Sequence, residues 1–248
     1  MSISYLTTPQ GRHIAYHQTA GTGPGVVFLG GYKSDMGGTK AVYLEQWARA
    51  QGRAFLRFDY SGHGESSEAF EAGCIGDWAE DAAQAITQLT EGPQVLVGSS
   101  MGGWIALLMT RRMPEKVAGL VTIAAAPDFT EDSFWAGFSD AQKAELKQTG
   151  QVALPSDYDE PYIVTQRLIE DGRNNLVLRD PLPLPFPTRF LQGTADGSVE
   201  RAVALRLLDH ASGPDMRLTL VEGADHSFSD ETCLPLITAT LCDVLERI

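Results

Sequence analysis

The chain has 248 residues, of which 43% are hydrophobic and 21% charged, a balance that lets a sizeable core form around one sheet without disulfides or metals. Its 19 basic and 32 acidic side chains leave a formal charge of −13, which repels phosphate backbones and anionic lipid, so nucleic acid is not an expected partner. Three widely spaced cysteines, Cys74, Cys233 and Cys242, fit neither a disulfide framework nor a metal or redox motif; with no export signal and no apolar run of the ~18 residues a membrane span needs, a cytoplasmic protein is expected.

Two short β-like runs between residues 5 and 17, parted by Gln10-Gly11, predict an opening hairpin. The continuous apolar run at 25–30 predicts a strand buried on both faces. Val42, Leu44, Trp47 and Ala48 then recur at helical spacing from a Thr39 cap to a stop at Gly52. The alternation repeats with a strand at 54–58, a helix at 77–89 carrying Trp78, Ala82, Ile86 and Leu89 on one face, a strand at 95–97, a helix at 104–112 and a strand at 117–125. Such alternation implies right-handed crossovers and an α/β fold: a mostly parallel twisted sheet flanked by helices. From 128 to 187 the rhythm breaks. Phe134, Trp135 and Phe138, a charged helix near 141–147, another near 161–170 and a Pro-rich exit predict a small helical cap, inserted into a single domain with its core at 1–127 and 188–248. The sheet pattern resumes with strands at 189–192 and 218–221 around a helix at 199–208. A closing helix places Ile237, Leu241, Val244 and Ile248 on one face.

Gly98-Ser99-Ser100-Met101-Gly102 matches G-x-S-x-G, and it stands where that motif needs to stand, directly after a strand and directly before an apolar helix. There a serine occupies a strained turn with its Oγ projecting above the sheet edge, and the glycines leave room for close backbone approach. A hydroxyl needs a base. Of the five histidines, His13 and His17 lie on the opening hairpin and His210 at a helix end, while His63 sits between glycines in Asp59-Tyr-Ser-Gly-His-Gly64 and suits a turn. His226, in the loop after the last strand, can reach over the carboxyl edge of the sheet and is the expected base. Asp196, just past the strand at 189–192, completes the order Ser, Asp, His; Asp128, after the strand at 117–125, is its rival. Oxyanion donors are expected from the backbone N–H groups of Met101 and Tyr32. The aromatic residues Phe134, Trp135 and Phe138 either line an acyl pocket or simply pack. Residues 31–40 lack the G-K-[ST] ending of a phosphate loop, no G-x-G-x-x-G follows the first buried strand, and no H-E-x-x-H is present, so no cofactor and no metal are expected.

Through Gly30-Gly-Tyr32, Asp59-Tyr-Ser-Gly-His-Gly-Glu-Ser66, the Ser100 elbow, Gly193-Thr-Ala-Asp196 and Asp225-His226, nearly the whole chain resembles the α/β-hydrolase superfamily. More narrowly, residues 31–41, 57–62 and 92–104 look like a branch of it that cleaves acyl-protein thioesters and acyl glucuronides. The resemblance implies the α/β-hydrolase fold, with Ser100 as nucleophile, Asp196 as acid and His226 as base. The expected reaction is hydrolysis of a carboxylic ester or thioester, on a small-molecule or acylated substrate, through an acyl-enzyme. An alternative is a ligand-binding or sensor protein on the same fold with vestigial turnover. Acyl group, leaving group and oligomeric state stay open.

Overall fold

In the computed structural model, which describes residues 3–154 and 161–248, the apolar runs become strands of one eight-stranded sheet. Strands β1 (Ser4–Thr7) and β2 (His13–Thr19) form the antiparallel opening hairpin. Then β3 (Thr22–Leu29), α1 (Thr39–Ala50), β4 (Arg53–Phe58), α2 (Ile75–Leu89), β5 (Gln94–Ser99), α3 (Met101–Arg112) and β6 (Val117–Ile123) alternate as the periodicity predicts. Past β6 the chain leaves the sheet through a π-helical turn (Thr130–Trp135), α4 (Asp140–Thr149), a hairpin of β7 (Gln151–Leu154) and β8 (Tyr162–Thr165), α5 (Gln166–Asn174) and the short β9 (Leu182–Pro183). It returns as β10 (Thr188–Gly193), α6 (Arg201–His210), β11 (Ala211–Ser212, parallel to β9), β12 (Met216–Val221) and α7 (Cys233–Leu245).

The sheet order is β1-β2-β4-β3-β5-β6-β10-β12, antiparallel at the first two pairings and parallel from β4 to β12. Helices cover both faces, which is why the central strands read as unbroken apolar runs. Along β3, Val27 and Leu29 point to the side packed by α2 and α3, whereas Val26 and Phe28 point to the side packed by α1 and α7. The parallel strands end on one edge of the sheet, so the loops after β3, β5, β10 and β12 share that edge.

Several boundaries differ from expectation. The N-cap of α1 is Gly38, with Thr39 the first helical residue; α2 starts at Ile75, α3 already at Met101, and β6 stops at Ile123 before Ala124 turns to φ 48°. The helix expected near 161–170 is a correction of substance. Tyr162–Thr165 is a strand paired with β7, and α5 begins only after Thr165, whose side chain caps it by accepting from Leu168 N–H at 3.1 Å. The segment between β6 and β10 is therefore mixed helix and strand rather than purely helical. Residues 155–160 of the expected cap, and residues 1 and 2 of the N-terminal stretch, lie outside the described residues.

Candidate active site

Ser100 stands between β5 and α3 with φ 54° and ψ −119°, a conformation a side chain adopts only under strain. Three backbone bonds hold it: its N–H donates to Ile123 O at 2.9 Å, and its carbonyl accepts from Gly103 N–H at 2.9 Å and Ala126 N–H at 3.1 Å. The glycines make the turn possible. A Cβ on Gly98 would meet Gly102 O at 2.3 Å, and one on Gly102 would meet Leu29 O at 2.0 Å, so neither position has room for a side chain.

Asp196, past the end of β10, and His226, past the end of β12, meet Ser100 across the sheet edge. His226 Nδ1 lies 2.8 Å from Asp196 Oδ2, and His226 Nε2 lies 3.1 Å from Ser100 Oγ. A carboxylate can only accept, so the ring proton belongs on Nδ1, which leaves Nε2 free to accept from the serine hydroxyl. The Asp196 side chain is wholly buried. Burial alone would raise its carboxyl, but the bonds from His226 and from the Val199 and Ser198 N–H groups outweigh it and hold the group below the ordinary carboxylate range. The two loops are also fitted to each other: a Cβ on Gly193 would sit 2.2 Å from Ala224 O, and Ala195 N–H donates to that same carbonyl at 3.0 Å. Below His226, Asp225 Oδ1 accepts from Phe228 N–H at 3.0 Å, the Phe228 ring is fully buried, and the Lys40 ammonium donates to Ser227 O.

The loop after β3 passes beside the serine. A Cβ on Gly31 would lie 3.3 Å from Ser100 Cβ, so the backbone that leads into Tyr32 passes close to the serine. Tyr32 anchors its ring edge-on among Phe70, Phe129, Tyr162 and Phe134, with centroids 4.8 to 6.0 Å away. The loop is pinned further along at Met36. Asp59 Oδ1 accepts from its N–H at 2.6 Å, and Arg57 donates to its carbonyl at 2.7 Å. Met101 is the first residue of α3, so its N–H has no partner inside the helix.

Above these groups lies a cavity of about 1010 Å³, with Phe129, Phe134 and Tyr162 among its apolar walls and Thr39, Lys40 and Glu200 among its polar ones. Of the three aromatic residues singled out in sequence, only Phe134 lines it. Phe138 is packed into the core, and Trp135 stacks under Arg173, 4.6 Å from the guanidinium carbon to the ring centroid. Phe129 and Tyr162 were not legible, because each contributes to the cavity only through the path of the segment between β6 and β10.

The rival acid has another task. Asp128 is fully buried and accepts from Val177 N–H at 2.8 Å, Leu178 N–H at 3.0 Å and Arg179 at 3.2 Å, tying the departing and returning ends of that segment together. His63 is a packed neutral ring: burial pushes it down to about 4, its Nδ1 lies 3.2 Å from Ser61 O, and it meets Tyr60, Phe70 and Trp78 edge-on. His13 lies 3.1 Å from Thr7 Oγ1, His17 sits in β2, and His210 closes α6 with its Nε2 2.8 Å from Asp180 O.

The sequence model of the family described as serine aminopeptidase, S33, matches residues 24–182. Palmitoyl-protein thioesterase ABHD10, mitochondrial, of Rattus norvegicus is 34% identical over 249 residues, spanning 100% of this chain and 84% of its own. Its Homo sapiens counterpart is 33% identical over the whole of this chain and 81% of its own. Among solved structures, a hydrolase from Agrobacterium vitis S4 superposes with a TM-score of 0.94 at 38% identity, covering 98% of each chain. The mouse α/β hydrolase domain-containing protein 10 does so at 0.92 and 32% identity, covering 99% of each. No helix among the described residues is long and apolar enough to cross a membrane. With both the family model and full-length relatives matching, the chain belongs to the serine aminopeptidase S33 family of α/β hydrolases and, within it, to the ABHD10-like hydrolases.

Proposed function

We propose that the chain is a serine hydrolase that cleaves carboxylic esters or thioesters through an acyl-enzyme at Ser100. The observation that carries this reading is the continuous chain of polar contacts from Asp196 through His226 to the Ser100 hydroxyl. Ser100 Oγ attacks the acyl carbon while His226 Nε2 takes its proton; the developing oxyanion accepts from the Met101 and Tyr32 N–H groups. Collapse expels the alcohol or thiol, protonated by His226. Water then gives a proton to the same nitrogen and attacks the acyl carbon, and collapse passes that proton back to Ser100 Oγ, releasing the carboxylic acid and the free serine. Asp196 keeps the imidazole in the tautomer that can accept, and stabilises it once charged.

The aromatic walls of the cavity suit an acyl chain, and the polar walls suit a leaving group with hydroxyl or amide functions. The name of the ABHD10 relatives supports an acyl thioester as the first substrate to try. On this reading residues 128–187 form a cap on a single domain, and three free cysteines favour a reducing compartment. A fluorophosphonate probe followed by mass spectrometry tests the nucleophile, with Ser100 the labelled residue expected. Label on another residue overturns the assignment. Ser100→Ala is expected to lower turnover of p-nitrophenyl esters and acyl thioesters by more than about a thousandfold. Ligand-dependent melting of the wild type without turnover would instead make it a binding protein.

A further inference from the structure

Gln192 is fully buried near the end of β10, where an amide side chain costs free energy unless its polar atoms are bonded. Its Nε2 lies 2.9 Å from Asp196 Oδ2, 3.0 Å from Val199 O and 3.3 Å from Gly193 O. All three are acceptors, which settles which end of the amide faces them. Its Oε1, by contrast, is buried with no hydrogen-bond partner among the described residues. A methionine would fill the same space without that orphan, so the side chain is held there for its donor.

We propose that Gln192 is a positioning residue for the acid of the triad, an inference that rests on the proposed function. Asp196 Oδ2 receives both the His226 Nδ1–H and the Gln192 amide, while Oδ1 receives the N–H groups of Ser198 and Val199. With donors on both oxygens the carboxylate cannot turn about its terminal bond, and the plane of the imidazole is set by it. The amide bond also spreads the negative charge that faces His226. Gln192 does not line the cavity, so it acts through Asp196 and not on substrate.

The test compares Gln192→Met, which removes the donor, with the isosteric Gln192→Glu, whose buried carboxyl is protonated beside Asp196 and keeps a donor to it. Rates are normalised to active sites titrated with fluorophosphonate. For Gln192→Met, kcat per site is expected to fall about tenfold, the worth of one hydrogen bond to a charged group, with KM unchanged. For Gln192→Glu, a carboxyl buried beside Asp196 Oδ2 and facing two carbonyl oxygens takes a proton and donates it to Asp196, so kcat per site at neutral pH is expected to stay near wild type, the conservative variant rescuing what the methionine loses. Wild-type kcat per site in Gln192→Met, or an equal fall in both variants, would overturn the proposal, even with a lowered Tm, because a purely structural glutamine changes only the number of folded sites. A raised KM at constant kcat would also overturn it, by making Gln192 a substrate contact. If the methionine variant does not fold, Gln192→Leu, which also removes the donor, is measured in its place against the glutamate variant. Hydrolysis retained by Ser100→Ala would defeat the proposed function itself, whereas a dead Ser100→Ala beside a wild-type-like Gln192→Met would defeat this inference alone.

Discussion

Each oxygen of Asp196 has a different set of donors, and that asymmetry dictates what Asp196→Asn does. Oδ1 faces two backbone N–H groups that cannot be moved cheaply, so the asparagine oxygen must take that side and its NH2 must face His226 Nδ1. The ring then has to accept at Nδ1 and carry its proton on Nε2, where it cannot take one from Ser100. Steady-state kinetics of Asp196→Asn are expected to show kcat lowered by about 10⁴-fold with KM little changed. The three residues of this relay were legible because each stands at a strand end in a recognisable context. Gln192 was not: a glutamine inside an apolar strand belongs to no motif, and only the fold shows that its amide meets a carboxylate four residues on. Arg57 and Asp59 belong in the sequence to a longer motif with no sign of this task, and their hold on Met36 becomes visible once β3 and β4 lie side by side.

The turns that carry these residues depend on space as much as on chemistry. At Gly193 the loop after β10 passes so near the loop after β12 that an added methyl would have to push Ala224 aside. Gly193→Ala is therefore expected to part Asp196 from His226 by a fraction of an ångström to an ångström and to lower kcat/KM about a hundredfold, with far-UV circular dichroism unchanged. An unchanged kcat/KM would show that the loops are not held by that contact. Strands and helices of the sheet were legible because burial on one or two faces imprints a period on the sequence. The β7–β8 hairpin was not. Tyr162 and the β-branched Ile163, Val164 and Thr165 favour a strand, but it is only four residues long and runs straight into α5, so helical periodicity masks it. The cap at Thr165 marks the boundary, and a side-chain cap is the kind of signal that locates a helix start when period alone does not.

Across the whole molecule, one buried ionic relay joins α1, β4 and the loop beside the serine. Glu45 binds Arg49 at 2.6 Å and Arg57 at 2.7 Å, and Arg57 in turn holds Met36. Burial would raise the Glu45 carboxyl, but hydrogen bonds from Arg49, Thr19 and Arg57 override it and bring the group from 4.5 down to about 2. A depressed carboxyl stabilises the fold when ionised: the contribution is complete above pH 4.5 and is lost as pH falls through about 2. Glu45→Gln is expected to melt about 5 °C below the wild type at pH 7, with the gap closing between pH 4.5 and 2 in a calorimetric series. A gap independent of pH would mean that charge plays no part.

The left-handed backbone at Ser100 has a consequence for any attempt to harden this protein. A side chain at φ 54° carries an energetic burden that glycine would not, so at this one position glycine is the residue that suits the polypeptide best. With Ser100 as the proposed nucleophile, a selection that scores heat tolerance alone would drift toward it and silence the molecule while improving it. Endurance and turnover pull against each other at a single peptide unit, and a screen for robust variants has to read both.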